Sequence, residues 1–367
     1  MAITCPRCGA EFDATLFEFG RRVCCDCGME IEYPGVSMQA GHVLAQGPEK
    51  AIAHEDRTIG CLLGTACGDI LGAAVEGWSA GEIADEYGQL RDFVDSFRGR
   101  GRYTDDTQMT LALATSLVER GHLDAAHAAA TYAAFYESSR GYGTVAHRVM
   151  QELKQGADYR ETGRLQFPEG SFANGGAMRI APVGLAYRHA TDDVLHGAVE
   201  GALLCTHVHP EAVDGAFIQA KAIAWAATSE SEDRGDRMDL LRTLMAAART
   251  PIMQGKLQAL EYCLEEQADD AAVIARVGNG IRASEAVAAA LYSFLRYGDT
   301  PEECVVRAVN FGGDADTVGA MAGALAGAHH GATWIPTRWY DSVENGPHGR
   351  DEIVTFARKL ARLDVRG

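Results

Sequence analysis

Two glycine-striped stretches dominate the sequence, GCLLGTACGDILG at residues 60–72 and GAMAGALAGAHHG at residues 319–331. Glycine recurs at every fourth position in both, so each stretch would form a helix with one face almost free of side chains. Each glycine in a helix costs about 1 kcal/mol relative to alanine. The general explanation is that each helix packs closely against some neighbour. The more specific prediction is that the two helices pack against each other at the centre of the fold. Asp69 argues against a membrane span in the first stretch, and the second is too short to span a bilayer.

Around these stretches, the chain from residue 54 onward is rich in Ala and Leu and has a 3.6-residue apolar period. Pro210, Pro251 and Pro301 stand at expected helix starts, and no fixed repeat indicates a solenoid. The pattern predicts one large, compact, multi-helix all-α domain. The expected helices include residues 105–120, 123–138, 193–205, 211–227, 240–248, 281–296 and 317–329.

The composition limits the classes of function. The chain has 367 residues, 47% of them hydrophobic, and a formal net charge of −18. Such an acidic balance argues against nucleic acid or an anionic membrane as a partner, because both favour a basic surface. Residues 1–14 lack the apolar core of a signal peptide, and no stretch reaches the roughly 20 apolar residues of a membrane helix. We therefore expect a cytoplasmic protein without a membrane partner.

The cysteines divide into two groups. Cys5, Cys8, Cys24 and Cys27 form two C-x-x-C pairs, a spacing typical of a structural Zn²⁺ site, although Cys25 could compete with Cys24 as a ligand. A redox dithiol pair is the alternative. The other five cysteines lie among apolar residues and are expected to be reduced thiols of the core.

The predicted domains are a zinc ribbon at residues 1–34, a linker at residues 35–53 and a catalytic domain at residues 54–367. The ribbon carries three basic and six acidic residues. We therefore expect it to bind a protein partner or to stabilise the chain rather than to read nucleic acid.

Acidic residues cluster before two predicted helices. The first cluster is Thr104-Asp105-Asp106-Thr107 and the second is Gly312-Gly313-Asp314-Ala315-Asp316-Thr317. Helix capping explains either cluster taken alone. Together they supply four carboxylates with Arg102 as the one adjacent base, and crowded carboxylates repel one another unless a cation binds. An all-oxygen set favours Mg²⁺, Mn²⁺ or Ca²⁺ over zinc.

Glycine-rich turns before helices add candidate anion sites. Residues 170–179 read GSFANGGAMR, and residues 277–281 read VGNGI. Exposed backbone N–H groups at such turns suit a phosphate, although an ordinary loop has the same composition. His207 and His209 precede a helix, where substrate contact or capping is favoured over metal binding.

Five of these motifs occur in the order seen in the ADP-ribosylglycohydrolase family, which the chain resembles from about residue 57 onward. They are Gly68-Asp69-Ile70-Leu71-Gly72 with Glu76, the Thr-Asp-Asp-Thr turn, Asn-Gly-Gly-Ala-Met-Arg, Thr-His, and Gly-Gly-Asp-Ala-Asp-Thr. The resemblance implies a compact all-α fold with two Mg²⁺ or Mn²⁺ ions in a central cleft. The zinc ribbon and linker lie outside it.

The resemblance also implies roles for individual residues. The metal ligands would be Thr104, Asp105, Asp106, Asp314, Asp316 and Thr317, and the catalytic carboxylates would be Glu76 and Asp314. The substrate contacts would come from Ser171, Phe172, Asn174, Gly175, Gly176, His207, Gly280 and Ile281.

The implied activity is hydrolysis of the bond between ADP-ribose and a modified protein side chain, with ADP-ribose as the product. Similarity to bacterial members favours arginine as the acceptor, whereas residues 277–281 with Ala283-Ser284-Glu285 are similar to the branch that contains serine-linked hydrolases. Three alternatives stay open: a hydrolase of ADP-ribosylated nucleic acid or a small molecule, a non-catalytic ADP-ribose-binding or structural protein, and a zinc-ribbon scaffold.

Overall fold

The computed structural model describes residues 53–229 and 234–367, with the backbone alone for residues 234–236. Nearer the N-terminus it describes the backbone of four short strands, β1 Ala2–Thr4, β2 Glu11–Asp13, β3 Val23–Cys24 and β4 Glu30–Ile31. β1 pairs antiparallel with β2, and β3 pairs antiparallel with β4. The predicted zinc ligands Cys5, Cys8 and Cys27 lie outside the described residues, and so does the side chain of Cys24.

The described part of residues 53–367 is helical, which confirms the all-α prediction for the body of the chain. It contains seventeen α-helices, counted over the described residues. They are α1 His54–Gly72, α2 Ala80–Tyr87, α3 Asp105–Arg120, α4 Ala125–Phe135, α5 Thr144–Lys154, α6 Tyr159–Thr162, α7 Ala181–Ala186, α8 Asp192–Leu203, α9 Pro210–Thr228, α10 Arg234–Ala247, α11 Pro251–Glu265, α12 Asp270–Val277, α13 Ala283–Tyr297, α14 Pro301–Asn310, α15 Ala315–His330, α16 Thr337–Tyr340 and α17 Arg350–Leu360.

The two glycine-striped helices, α1 and α15, form the centre of the fold. They run antiparallel, with Gly60 against Gly327, Gly64 against Gly323 and Gly68 against Gly319. A Cβ atom on Gly64 would lie 2.2 Å from the backbone oxygen of Gly323, so this separation is open only to glycine. The prediction of a close central helix pair is thus confirmed. Its antiparallel sense places the end of α1 beside the beginning of α15.

Short backbone pairings join the loops at that end. Gly77 donates to the carbonyl of Gly313 at 2.7 Å, and Gly313 donates to the carbonyl of Trp78 at 2.7 Å. Gly313 has a φ of 68°, a left-handed conformation that favours glycine. This pairing holds the loop after α1 against the turn before α15.

A second pairing joins the 170–179 turn to the segment before α13. Asn174 donates to the carbonyl of Ile281 at 2.9 Å, and Ala283 donates to the carbonyl of Phe172 at 3.1 Å. The sequence predicts a helix from Ile281, but α13 begins at Ala283 because Arg282 is extended and the Ile281 carbonyl is bonded to the neighbouring turn.

The remaining cysteines are where the sequence predicts them. Cys61, Cys67, Cys205, Cys263 and Cys304 are free thiols buried in the core. Across the residues that the structure describes, none of the helices combines the length and the apolar character required to cross a membrane.

Candidate active site

Carboxylates from three segments converge where α1 ends and α15 begins. Side-chain oxygens of Glu76, Asp314 and Asp316 lie within 4.8 Å of one another. Asp105 and Asp106, at the start of α3, line the same cavity, whose volume is about 370 Å³. The two acidic clusters of the sequence therefore belong to one site.

Asp69 fixes the position of the Thr104–Thr107 turn. This carboxylate is fully buried in α1 and accepts hydrogen bonds from the backbone N–H of Thr104 at 2.9 Å and of Thr107 at 3.0 Å. The Thr107 hydroxyl donates to it at 2.6 Å. Thr104 in turn caps α3 and donates to Asp106 Oδ2 at 3.1 Å. The glycine-striped helix thus carries the residue that orients the first acidic cluster.

The carboxylates at the acidic end of the cavity are buried close to one another, and both conditions disfavour their charged forms. Burial, with the neighbouring Asp69 carboxylate, raises the pKa of Asp105 to about 7. Burial and the charges of Asp69, Asp105 and Asp314 raise the pKa of Asp106 well above its ordinary range. Burial raises the pKa of Asp316 in the same way, with Asp106 and Asp314 as the nearest like charges.

Glu76 differs from the other carboxylates because it is exposed at the mouth of the cavity. It stands on a concave surface, so partial desolvation, together with the charge of Asp314, raises its pKa. Asp314 is held by Asn174, whose side-chain amide donates to Asp314 Oδ2 at 2.5 Å. Burial also raises the pKa of Asp314.

The donor set fits a hard divalent cation. All the side chains that converge offer oxygen, the ligand type that Mg²⁺ and Mn²⁺ take in proteins. The Oδ1 atom of Asp106 is buried and has no hydrogen-bond partner, which is unfavourable for a carboxylate oxygen unless a cation binds it. No lysine or arginine pairs with Asp105, Asp106 or Asp316 among the residues that the structure describes.

The other end of the cavity is formed by the glycine-rich turn and the turn before α9. Gly175 lies against the ring of His207, where an added Cβ would stand 2.7 Å from His207 Cε1. His207 is buried, and its Nδ1 has no partner. Burial and the nearby Arg179 lower the pKa of His207 to about 3, so the ring is neutral at physiological pH. At the rim, Phe172 is 40% and Ile281 61% exposed, large fractions for apolar side chains.

Most of the site residues predicted from sequence line this single cavity. Those that do are Glu76, Asp105, Asp106, Ser171, Phe172, Asn174, Gly175, His207, Ile281, Asp314, Asp316 and Thr317. Thr104, Gly176 and Gly280 do not line it. Thr104 is buried behind Asp106, Gly176 packs on Leu203, and Gly280 lies beside Glu285.

Three features of the cavity were not predicted as part of the site. The first turn of α5 forms one wall through Thr144, Val145 and Ala146. Its sequence signal is Gly141-Tyr142-Gly143, a glycine turn before a helix like the two turns identified above. Arg179 contributes to the wall near His207, and Asp69 anchors the acidic turn. Both Asp69 and Arg179 belong to motifs that carry the family resemblance, Gly68-Asp69-Ile70-Leu71-Gly72 and Asn-Gly-Gly-Ala-Met-Arg, but neither motif by itself indicates the role of its charged residue.

The fold and the site together define a class. An all-α body carries carboxylates of raised pKa at one end of a cavity, and glycine turns, a neutral histidine and an aromatic rim at the other. Paired carboxylates of this kind are what cleavage of a glycosidic bond requires. The arrangement is that of a glycosidic-bond hydrolase.

Comparison with known proteins identifies the family. Residues 50–367 match the sequence model of the family described as ADP-ribosylglycohydrolase. The chain therefore belongs to the ADP-ribosylglycohydrolase family.

Individual relatives agree with this assignment. ADP-ribosylhydrolase ARH3 of Danio rerio is 32% identical, over 83% of this chain and 90% of the relative. The ADP-ribosyl-[dinitrogen reductase] glycohydrolase of Rhodospirillum rubrum is 31% identical, over 79% of this chain and 90% of the relative. A solved structure titled ADP-ribosylglycohydrolase-related protein complex is similar with a TM-score of 0.65 and 30% identity, covering 85% of this chain and 99% of the other.

Proposed function

We propose that this protein is a divalent-metal-dependent hydrolase that releases ADP-ribose from a modified protein side chain, with arginine ahead of serine as the expected acceptor. The observation that carries this proposal is one cavity, in which side-chain oxygens of Glu76, Asp314 and Asp316 lie within 4.8 Å of one another at one end and the glycine turn and His207 lie at the other. A substrate that contains ADP-ribose needs both ends of the cavity. The bond to be cut needs acid–base groups, and the diphosphate needs N–H donors.

The residues proposed to hold two Mg²⁺ or Mn²⁺ ions are Thr104, Asp105, Asp106, Asp314, Asp316 and Thr317. Such ions, when bound, supply Lewis acidity toward the ribose hydroxyls and toward water. The unpartnered Oδ1 of Asp106 and the raised pKa values of Asp105 and Asp316 support this assignment, because each is a property that a bound cation would relieve.

Glu76 is proposed as the group that moves the proton. It is the most exposed carboxylate of the set. Its raised pKa is closer to neutral pH than the pKa of an ordinary glutamate, which suits a group that takes up and gives back a proton. In the proposed reaction its carboxylate accepts a proton from the water that attacks C1 of the ribose. The same proton then passes to the departing side chain. Asp314, fixed by Asn174, is the second candidate for this role.

The opposite end of the cavity is proposed to bind the rest of the nucleotide. Ser171 and Gly175 would bring backbone N–H groups to the diphosphate, and the neutral ring of His207 would hydrogen bond the ligand without adding charge. Phe172 and Ile281 offer an exposed apolar rim, which suits the adenosine end.

A panel of ADP-ribosylated acceptors tests the proposal. Peptides modified on arginine and on serine, an ADP-ribosylated oligonucleotide and a small-molecule conjugate would each be incubated with Mg²⁺, with Mn²⁺ and with EDTA. We expect metal-dependent release of ADP-ribose from a peptide, lost in Glu76→Gln and Asp314→Asn. Release from the oligonucleotide or the small molecule alone would replace the protein substrate, and no release from any acceptor would favour a binding role.

The N-terminal segment is proposed to be a zinc ribbon at residues 1–34, joined by a linker at residues 35–53 and serving as a docking module for a protein partner. In support, Cys5 and Cys8 fall in sequence between the paired strands β1 and β2, and Cys27 falls between the paired strands β3 and β4. The five free, buried thiols of the body are consistent with a reducing compartment, and we propose the cytoplasm.

A further inference from the structure

Arg179 is a cation buried in the wall of the cavity. It ends the glycine-rich stretch of residues 170–179, and its side chain is 0% exposed. It lines the cavity together with Gly175, Thr206 and His207. The position places a permanent positive charge beneath the turn, at the end of the cavity away from the acidic cluster.

The contacts of Arg179 are with neutral groups. Its guanidinium donates to the carbonyl oxygens of Gly175 and Ala202, and to the hydroxyl of Thr206 at 2.5 Å. It also lies 4.7 Å from the centre of the Tyr132 ring, and its Nε has no partner. No Asp or Glu pairs with Arg179 in the part of the chain that the structure describes.

Two other buried arginines of this protein pair with a carboxylate. Arg140 pairs with Glu344, and Arg237, which is 1% exposed, pairs with Asp299 at 2.6 Å. Burying an unpaired charge is strongly unfavourable, because the low-dielectric interior replaces its hydration poorly. Arg179 therefore carries a charge that an anion in the cavity would neutralise. Its field reaches the ligand space, since it contributes to the lowered pKa of the neighbouring His207.

The glycine turn separates this charge from the acidic cluster. Asn174 faces Asp314, whereas the next residue, Gly175, contacts both Arg179 and His207. An anionic ligand group beside Gly175 would thus lie near the positive charge of Arg179, whereas a group beside Asn174 would lie near the carboxylate of Asp314. The charge that the cavity wall presents therefore changes from negative to positive between two adjacent residues.

We propose that Arg179 is the built-in counter-cation for the diphosphate of the substrate, acting as a positioning residue from behind the glycine turn. This inference rests on the proposed function, and it assigns the selectivity of the cavity for an anionic ligand to the side chain of Arg179. The charge of Arg179 matters most in this role, and its hydrogen bonds to Gly175 and Thr206 keep the charge beneath the turn.

The test compares Arg179→Gln, which removes the charge, with Arg179→Lys, which keeps it. Affinity for ADP-ribose would be measured by calorimetry in the Mg²⁺-loaded full chain, with salt titrated in parallel. We expect Arg179→Gln to weaken binding by about 10- to 100-fold, as for loss of a charge–charge attraction in a low-dielectric site, and the loss should persist as salt is raised because salt screens a buried attraction weakly. Arg179→Lys should keep most of the affinity.

Arg237→Gln is the matched control, because Arg237 is equally buried but has its own carboxylate. It should lower the melting temperature and leave ADP-ribose affinity unchanged. Equal affinity of wild type and Arg179→Gln would overturn the inference, and so would Arg179→Lys binding as weakly as Arg179→Gln. If Arg179→Gln does not fold, Arg179→Lys decides, since retained affinity supports the role of charge and lost affinity rejects it.

The same measurements separate this inference from the proposed function. Wild-type protein that binds ADP-ribose through Arg179 but hydrolyses none of the acceptors would refute the proposed hydrolysis and support the role of Arg179. Wild-type protein that neither binds ADP-ribose nor releases it from any acceptor would refute both.

Discussion

Asp69 shows how a single buried residue sets the geometry of the acidic cluster. Its carboxylate receives the N–H groups of Thr104 and Thr107 and the Thr107 hydroxyl, so it holds the turn that presents Asp105 and Asp106. Asparagine has one acceptor oxygen and adds an N–H₂ donor, which would face these donors unfavourably. The proposed metal site therefore depends on a residue that does not line the cavity.

We expect Asp69→Asn to lower Mg²⁺ or Mn²⁺ affinity by about 10- to 100-fold, as for other residues that orient metal ligands. Asp214→Asn is the matched control, because Asp214 is also buried in a helix and receives the N–H and hydroxyl of Thr250 at 2.7 and 2.6 Å. Both variants should lose about 2–3 kcal/mol of the free energy of unfolding. Metal titration monitored by calorimetry should separate them, and an equal loss of metal affinity in both would contradict the role of Asp69.

The raised pKa of Asp105 predicts how stability depends on pH without metal. Its pKa is about 7 in the folded protein against an ordinary value of 3.8, so the folded state binds more protons than the unfolded state between these values. Stability is therefore greatest at the acidic end of this window and falls as pH rises through it. Urea midpoints in EDTA should decrease from pH 5 to pH 7.5, and Asp105→Asn should reduce the decrease. Saturating Mg²⁺ should reverse the trend, because metal binding needs deprotonated ligands.

At the residue scale, sequence reasoning located the acidic groups but not their supports. Asp105, Asp106, Asp314 and Asp316 stand out because four carboxylates occur on two short turns with little adjacent base. Asp69 and Arg179 lie in motifs of the family resemblance but not in a cluster of charges: the first interrupts a glycine stripe, and the second follows a glycine turn. The role of Asp69 depends on partners 35 or more residues away along the chain. The role of Arg179 depends on its having only neutral partners among the described residues. Tertiary structure alone reveals both facts.

At the scale of elements, the glycines of α1 and α15 decide how closely the centre packs. Gly64 and Gly323 place each backbone directly on the other, so side-chain volume at either position must push the helices apart. Because Glu76 follows α1 and Asp314 precedes α15, a change in this separation would also shift the carboxylates. Packing of this helix pair and geometry of the acidic cluster are therefore coupled.

Gly64→Ala should destabilise the protein by about 3 kcal/mol, because the new methyl group would meet the Gly323 backbone at 2.2 Å. Gly197→Ala in α8 is the control, because nothing lies within 4 Å of its added Cβ. It should stabilise the fold by up to about 1 kcal/mol through helix propensity. Urea denaturation of both variants measures the difference, and a Gly64→Ala protein as stable as wild type would disprove the close packing.

Helix positions could be predicted because apolar period and capping are local properties. The prediction for residues 105–120 coincides with α3, whose cap is Thr104 and whose last residue precedes Gly121. The start of α13 was placed two residues early, at Ile281, because the bond from Asn174 to the Ile281 carbonyl joins segments more than 100 residues apart. Boundaries set by tertiary pairing have no signal in the segment itself.

At the scale of the whole molecule, the residues that form the cavity all belong to the part of the chain that matches the family. The cavity is lined from Glu76 to Thr317, and the family match covers residues 50–367. The acidic cluster depends on the ends of α1, α3 and α15, which are far apart in sequence and adjacent only after the whole helical body has folded. The N-terminal cysteines contribute no described atom to this arrangement, so zinc binding and catalysis should be separable.

We expect the full chain to bind one Zn²⁺, and the quadruple variant Cys5→Ser, Cys8→Ser, Cys24→Ser, Cys27→Ser to bind none. Metal analysis after dialysis without chelator measures this directly. Turnover on the best acceptor of the panel should change by less than about 2-fold, because the proposed catalytic carboxylates are positioned by the helical body. Cys25→Ser is the control for ligand choice and should keep the metal. Zinc retained in the quadruple variant would disprove the predicted ligand set, and a large fall in turnover would show that the ribbon supports the helical body rather than acting as an independent docking module.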